Sequence, residues 1–326
     1  MSEGIGIDLG TDSTIIYSPN KGILLNEPTI VAVDILTKEP IEYGKKAKEM
    51  IGRTPKDITT VEPLKDGVIS SFSLTVKMLK HYLKKVGSNK ALFQKAMVCV
   101  PSNINSVEKQ AVVDAIIRCG IRNVWLIEEP VAAAIGAGLD ISKSKANFIV
   151  DIGGGTTDIA VIADGSTILS NSILSAGNAF TDIIKRYMLD RYEIAIGSLT
   201  AENLKCEIGS VFSREHMIET KCRGRHTKTG MPVEILINNA ELEKLLQAEA
   251  MKIVDTIKEV IERTPPEMME EISNNGIYLT GGGSKLFRID KLIKQYTGIN
   301  VFVANEPEFC VAKGTGKALL NKNFIQ

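Results

Sequence analysis

Two aspartates stand at the ends of apolar runs, each followed by glycine and hydroxyl side chains. Asp8 closes the run in IDLGTDST (7–14), and Asp151 closes the run in VDIGGGTTD (150–158), 143 positions later. A third glycine turn, TGGGSKL, occupies 280–286. Backbone N–H groups in such turns can converge on an oxyanion, because no Cβ blocks the approach. Thr11 and Thr156 would add hydroxyl donors to the same cradle. An aspartate beside the turn repels a phosphate but suits the hydrated Mg²⁺ that a polyphosphate carries, since Mg²⁺ favours carboxylates and keeps waters. Two such turns from two halves of a chain would grip one triphosphate from both sides.

The competing reading of a single glycine cluster is a structural hairpin turn. Neither stretch is a P-loop, for the chain has no Gly-x-x-x-x-Gly-Lys-Ser/Thr. Neither is a dinucleotide fingerprint, because IAVIA after DIGGGTTD reads as a strand and not a helix. It is the pairing of the Asp-x-Gly turns, with a third turn behind them, that points to a nucleotide.

The elements that must position these turns repeat. GIGIDL, TIIYS, GILLN and TIVAVD read as short strands joined in hairpins, with a Pro-Asn-Lys-Gly turn at 19–22. Phe72, Val76, Leu79 and Leu83 then fall at helical spacing over 71–86, and AMVCVP reads as a buried strand. Asn105 with Glu108 forms a capping-box pattern that opens a helix closed by Gly120. NVWLIEE is another strand, and PVAAAIGAG a small-residue helix. From Ala146 the hairpin construction begins again. Helices follow at about 178–191 and 200–209, then a basic two-strand segment at 217–238. A long helix over about 240–263 carries a broad apolar face of Leu242, Leu245, Leu246, Met251, Ile253, Val254, Ile257 and Ile261. The organisation is an internal duplication, and it predicts two mixed-sheet α/β domains facing each other across a cleft.

Composition narrows the function classes. The 326 residues hold 39 Lys plus Arg against 39 Asp plus Glu, so no global field draws the chain to nucleic acid. The five cysteines lack any Cys-x-x-Cys pair, and with no signal peptide in view a reducing compartment is expected. The three histidines lack the spacing of metal ligands. No apolar run approaches the ~20 residues that span a bilayer.

The three glycine elements together resemble the actin, Hsp70 and sugar-kinase superfamily, and within it the MreB family of bacterial actins. The likeness runs nearly end to end, through IDLGTDST, GILLNEPTIVAV, PLKDGVI, VPSNINSVEKQAV, LIEEPVAAAIGAGL, VDIGGGTTDIAVI, LTGGGSKLFRIDKLI and PEFCVAKGTGKALL. The resemblance implies an actin-like ATPase fold in four parts. Subdomain IA would comprise 1–31, 66–145 and a C-terminal helix at about 311–326. Subdomain IB would be 32–65, IIA 146–179 with 246–310, and IIB 180–245. It further implies ATP with Mg²⁺ between the halves. Gly10, Thr11, Asp12, Ser13, Gly153, Gly154, Gly155 and Thr156 would contact phosphates, and Asp8 and Asp151 would face the metal through its waters. Glu202 and Lys205 would lie by the ribose and base, and Gly281, Gly282, Gly283 and Ser284 against the adenosine. Glu129 would position the attacking water, with Thr156 coupling hydrolysis to the γ-phosphate. Read without the resemblance, Glu129 is a helix N-terminal charge, Asp8 and Asp151 are turn caps, and Glu202 and Lys205 form a solvated helix face.

The chain departs from the family pattern in four places. GTDST stands for the usual GTANT, which sets a carboxylate, Asp12, beside the phosphates. Asp158 replaces a usual Glu, Asn178 a typical Asp, and AENLK a more usual EEIK. Self-association follows from the resemblance alone: ATP-dependent antiparallel double filaments on the inner face of the cytoplasmic membrane, working with membrane proteins of the cell-wall machinery. The chain opens MSEGIGID without room for an amphipathic helix, so Leu92 and Phe93, between Lys90 and Lys95, are the expected lipid contact. Their other reading is ordinary packing. The alternative function is a soluble small-molecule kinase or monomeric ATPase of the same superfamily, opposed by the lack of an insertion that would build a second substrate pocket. A chaperone of Hsp70 type would need a further peptide-binding domain.

Overall fold

The strand–turn–strand runs at both glycine motifs close as antiparallel hairpins. A computed structural model describes residues 3–52, 55–65, 67–87, 93–141, 145–321 and 324. In the first half, Glu3–Leu9 pairs with Ser13–Ser18, and that strand with Gly22–Pro28. In the second, Asn147–Ile152 pairs with Thr157–Ala163, and that strand with Ser166–Ile173. Two parallel strands extend each sheet on its other side: Phe93–Val100 and Asn123–Glu128 in the first, Ile277–Thr280 and Val301–Val303 in the second. Numbered within each half, both sheets run 3-2-1-4-5. The duplication is thus one of topology as well as of motif.

Parallel neighbours need a crossover, and a helix supplies it in each half. Ser106–Arg118 links the first pair and Ile289–Thr297 the second. The capping box at Asn105 forms as the sequence predicts, with Glu108 N–H donating to Asn105 Oδ1 at 2.9 Å and Asn105 N–H to Glu108 Oε2 at 3.0 Å. The long helix runs Asn239–Arg263 and buries Leu242, Leu246, Ile253, Val254 and Ile257 in the core of the second half.

One expectation is corrected. TIVAVD does not continue the first hairpin series; Val31–Asp34 pairs instead with Pro40–Tyr43 and Ile58–Val61 in a separate three-stranded sheet. Pro28, which ends the preceding strand, has no N–H to carry that ladder further. The basic segment forms the matching small sheet of the second half, where Glu219–His226 pairs with both Pro232–Asn238 and Ile194–Ala195.

Two helices, Glu129–Ala137 and Cys310–Ala318, join the halves. Their Ala132, Ala133, Ala134 and Val311 share one buried cluster with Met97 and Cys99 of the first sheet and with Ile149, Ala160 and Ile162 of the second. The pair crosses at backbone contact: a methyl on Gly136 would overlap the Cys310 carbonyl, and one on Gly314 the Ala132 carbonyl. Small residues set that approach, and it holds both hairpin turns at a fixed spacing.

Candidate functional site

The two glycine turns meet between the halves. Each is closed by its own backbone: Gly10 N–H donates to the Ser13 carbonyl at 3.1 Å, and Gly153 N–H to the Thr156 carbonyl at 2.9 Å. Neighbouring segments brace them, Thr29 N–H reaching the Asp12 carbonyl at 3.0 Å and Asn178 N–H the Gly154 carbonyl at 2.8 Å. A methyl on Gly155 would lie 3.5 Å from Thr11 Cβ, and one on Gly154 only 2.7 Å from Asp12 Cβ. Gly10, Thr11, Asp12 and Ser13 therefore lie against Gly153, Gly154, Gly155 and Thr156, touching at Thr11–Gly155 and Asp12–Gly154, and a side chain at 154 would have no room beside Asp12.

Four carboxyl groups gather behind these turns. Asp151 and Asp158 face each other in register across the second hairpin, and both are buried. Burial pushes Asp8 up to about 6, against a hydrogen bond from Cys99 Sγ at 3.3 Å. Asp151 is pushed up to about 7 by burial, opposed by the Thr280 hydroxyl at 2.6 Å and assisted by Asp158 and Asp8. Burial, then the charges of Asp158, Asp8 and Asp151, holds Glu129 well above the usual carboxylate range. Burial also raises Asp158, although Ser172 and Thr156 donate to it. Such a set of desolvated, mutually repelling oxygens suits a hard divalent cation. Among the described residues no three such side chains converge closely enough to hold an ion by direct contact alone.

The simpler readings of these residues lose ground. The Gly10 and Gly153 N–H groups that close the two turns go to main-chain carbonyls and not to Asp8 or Asp151. Glu129 does open its helix, but its raised proton affinity sets it apart from a charge placed there for the dipole. Glu202 and Lys205 are no solvated face either. Lys205 Nζ donates to the Gly177 carbonyl at 2.9 Å and pairs with Glu202 at 2.7 Å, while the Thr181 hydroxyl donates to Glu202 at 2.6 Å. They fasten their helix to the start of Gly177–Tyr192, directly after the second hairpin.

The third turn packs on the same strand end. Gly281, at φ 78°, leaves no space for a Cβ against the Ile152 carbonyl, and Gly283 abuts the Ile152 side chain. Ser284 turns its hydroxyl inward onto the Gly281 carbonyl at 2.7 Å, whereas the face at Gly282 is open. Leu92 and the side chain of Phe93 lie outside the described residues.

Sequence reasoning passed over Asp158, Cys99, Thr280 and Lys48 as parts of this site. Asp158 was within reach, since folding 150–158 about the glycine turn pairs it with Asp151. Lys48, whose Nζ lies 3.9 Å from Asp12 Oδ1, carried no local signal.

Comparison with known proteins agrees with this geometry. The family model described as MreB/Mbl protein matches residues 2–326. The cell shape-determining protein Mbl of Bacillus subtilis is 44% identical over 323 residues, covering 98% of this chain and 97% of its own. The cell shape-determining protein MreB of Escherichia coli is 42% identical over 98% of this chain and 93% of its own. Among solved structures, MreB 5 of Spiroplasma citri bound to AMPPNP superposes with a TM-score of 0.94 at 35% identity, over 99% of this chain and 98% of that one. The MamK double helical filament, at 20% identity and a TM-score of 0.80 over 98% of this chain and 99% of that one, shares the fold.

Proposed function

The chain belongs to the MreB/Mbl family, with an actin-like ATPase fold, and we propose that it is an ATP-dependent, filament-forming cytoskeletal protein. In this reading it lies in the cytoplasm against the inner face of the cell membrane, where it organises wall synthesis and rod shape with membrane proteins of the wall machinery. The observation that carries the reading is the apposition of the two glycine turns in front of four desolvated carboxyl groups. Its relatives support it: two bear the name cell shape-determining, and MreB 5 was crystallised with AMPPNP and with ADP.

The turn N–H groups of residues 10–13 and 153–156 bind the phosphates, Glu202 and Lys205 the ribose side, and residues 281–284 the adenosine. The desolvated oxygens of Asp8 and Asp151 fit a Mg²⁺ held through its waters, which when bound offsets the charge of the polyphosphate. Glu129 orients the attacking water and accepts its proton; the raised proton affinity of this carboxyl suits a general base. Thr156, tied to Asp158, registers the γ-phosphate beside it. Phosphoryl transfer to water asks little more of a protein than this positioning.

The four-part division also belongs to this proposal: IA at 1–31, 66–145 and about 311–326, IB at 32–65, IIA at 146–179 and 246–310, and IIB at 180–245. Lipid contact is assigned to Leu92 and Phe93, apolar residues between Lys90 and Lys95; no helix among the described residues is long and apolar enough to cross a membrane. A single such contact binds weakly, and a filament multiplies it by avidity.

Sedimentation across a concentration series, with Mg²⁺ and ATP or ADP and with phosphate assayed in the same tubes, tests the reading. The expected result is a threshold concentration above which added protein pellets with ATP, with phosphate released at that threshold. Steady turnover by protein that stays soluble at every concentration, with and without lipid, would instead favour the small-molecule kinase or monomeric ATPase.

A further inference from the structure

A second cavity lies in the second half of the chain, outside the cleft. The segment that follows helix Ser198–Ile208 and the start of helix Ile289–Thr297 line an open space of about 730 Å³, a size that admits a small organic ligand. Its two walls are joined: Ser210 bridges to Phe287 in parallel register, and Val211 N–H donates to the Phe287 carbonyl at 3.2 Å. None of the lining residues belongs to the three glycine turns, to the carboxyl cluster or to the Glu202–Lys205 pair.

The walls are basic. Arg214, Arg288, Lys291 and Lys294 line the cavity with a single acid, Glu215, although acids and bases balance over the whole chain. Both guanidinium groups lie over the ring of Phe287, Arg214 Cζ at 3.9 Å from its centroid and Arg288 Cζ at 5.3 Å. Arg214 Nη2 donates to the Gly209 carbonyl at 3.1 Å, while its buried Nε has no partner among the described residues. Burial lowers the proton affinity of Arg214, and no acid opposes the shift. Arg288 stands at φ 66°, a backbone conformation that side chains other than glycine seldom adopt. Lys294 donates to a neutral partner, Asn300 Oδ1, at 2.9 Å, and Lys291 has Asp290 at 3.9 Å. Two cations on one ring repel, and the negative face of the ring offsets that only in part. An anion bound beside them removes the cost.

We propose that this cavity binds a phosphomonoester of a small organic molecule, at a site separate from the nucleotide cleft. Charge argues for phosphate over carboxylate. A phosphomonoester carries about two negative charges at neutral pH and three acceptor oxygens, which suit the forked donors of arginine. A single carboxylate would leave most of the positive surplus uncompensated. Volume argues for an organic group, since the space far exceeds a bare phosphate, and Phe212 and Ile218 give the remainder an apolar wall. The ligand would rest on the segments that leave the Glu202–Lys205 helix and the third glycine turn, but its binding does not depend on the nucleotide reading.

Isothermal titration of the full chain with phenyl phosphate, inorganic phosphate and benzenesulfonate, each with and without saturating Mg²⁺-ADP, tests the site. Phenyl phosphate is expected to bind saturably in both conditions. It should bind more tightly than inorganic phosphate, which lacks the organic part, and than benzenesulfonate, which carries a single charge. R288Q and K291Q, both at exposed side chains, are each expected to weaken phenyl phosphate by about tenfold or more. K84Q, at an exposed lysine on helix Phe72–Lys85 of the other half, is expected to leave it unchanged, and equal melting temperatures would show that all three variants fold. Absence of saturable binding in either condition overturns the proposal. So does binding that R288Q and K291Q leave unaltered, or that Mg²⁺-ADP abolishes, since it would then belong to the cleft. Inorganic phosphate or benzenesulfonate binding as tightly as phenyl phosphate would overturn the assignment to a phosphomonoester. If the chain fails to bind Mg²⁺-ADP, the proposed function falls, and the titration without nucleotide still decides the cavity.

Discussion

The hydroxyl of Thr280 donates to Asp151 Oδ1 at 2.6 Å, between residues that are partners in adjacent parallel strands and 129 positions apart in the chain. This bond ties the strand leading into the third glycine turn to the carboxylate behind the second. Both groups are buried, so neither has water as a substitute partner. T280V keeps the shape and removes the donor. It is expected to lower stability by about 1–3 kcal/mol, as for a buried acceptor left unsatisfied, and to raise Asp151 further. Urea denaturation of both proteins measures this, and an unchanged midpoint would show that the bond contributes nothing.

Stability should depend on pH in the direction opposite to ordinary acid denaturation. Asp8 and Asp151 are raised to about 6 and about 7 in the fold, above the usual carboxylate value near 3.9 in an unfolded chain. Between these values the native state binds more protons, so stability falls as pH rises from about 4 to about 7. For Asp8 alone the change is on the order of 3 kcal/mol. Denaturation at pH 5 and pH 7.5 without divalent ions is expected to show the protein weaker at the higher pH, and Mg²⁺ to narrow the gap. Stability that rises through this window would contradict the desolvated cluster.

E129Q removes an ionisable group while keeping its size. Phosphate release should drop by about 10²- to 10⁴-fold, the usual contribution of a general base. Nucleotide affinity should hold, because Glu129 is assigned to the water and not to the phosphates. Mutual repulsion with Asp8, Asp151 and Asp158 is also relieved, so the melting temperature should rise at neutral pH. Paired calorimetry and phosphate assays check both effects, and undiminished release would remove Glu129 from the mechanism.

G136A tests the joint between the halves. Its methyl would overlap the Cys310 carbonyl, a backbone atom that cannot rotate away. The helices must separate, at a cost of about 3 kcal/mol or more. An equal change at Gly138, which ends the same helix with no atom near its missing Cβ, bears only the strain of its positive φ. If the two variants unfold at the same denaturant concentration, the close crossing does not constrain the molecule.

Much of this arrangement was legible in the sequence because the signals are local. Asp8 with its glycine turn, Asp151 with its own, and the Asn105–Glu108 box each depend on residues within a few positions of one another. Repetition of the hairpin construction after Ala146 announced two similar halves. The break after Pro28, which sends Val31–Asp34 into a separate sheet, was less plain, since a proline at a strand end reads equally as a turn.

What the sequence alone determined, then, is the pair of phosphate-type turns and the strands and helices that carry them, for these follow from backbone freedom at glycine and from hydrophobic period. Tertiary structure alone decided that Asp12 lies against Gly154, that Lys48 approaches Asp12, that Glu202 and Lys205 brace Gly177, and that Thr280 holds Asp151. It also decided the proton affinities of Asp8, Asp151 and Glu129, which an isolated strand end would leave near ordinary values. The physical reason is the same in each case. Desolvation and charge repulsion depend on which groups are packed within a few ångströms, and the closure of the two halves on helices Glu129–Ala137 and Cys310–Ala318 chooses those neighbours from segments far apart along the chain.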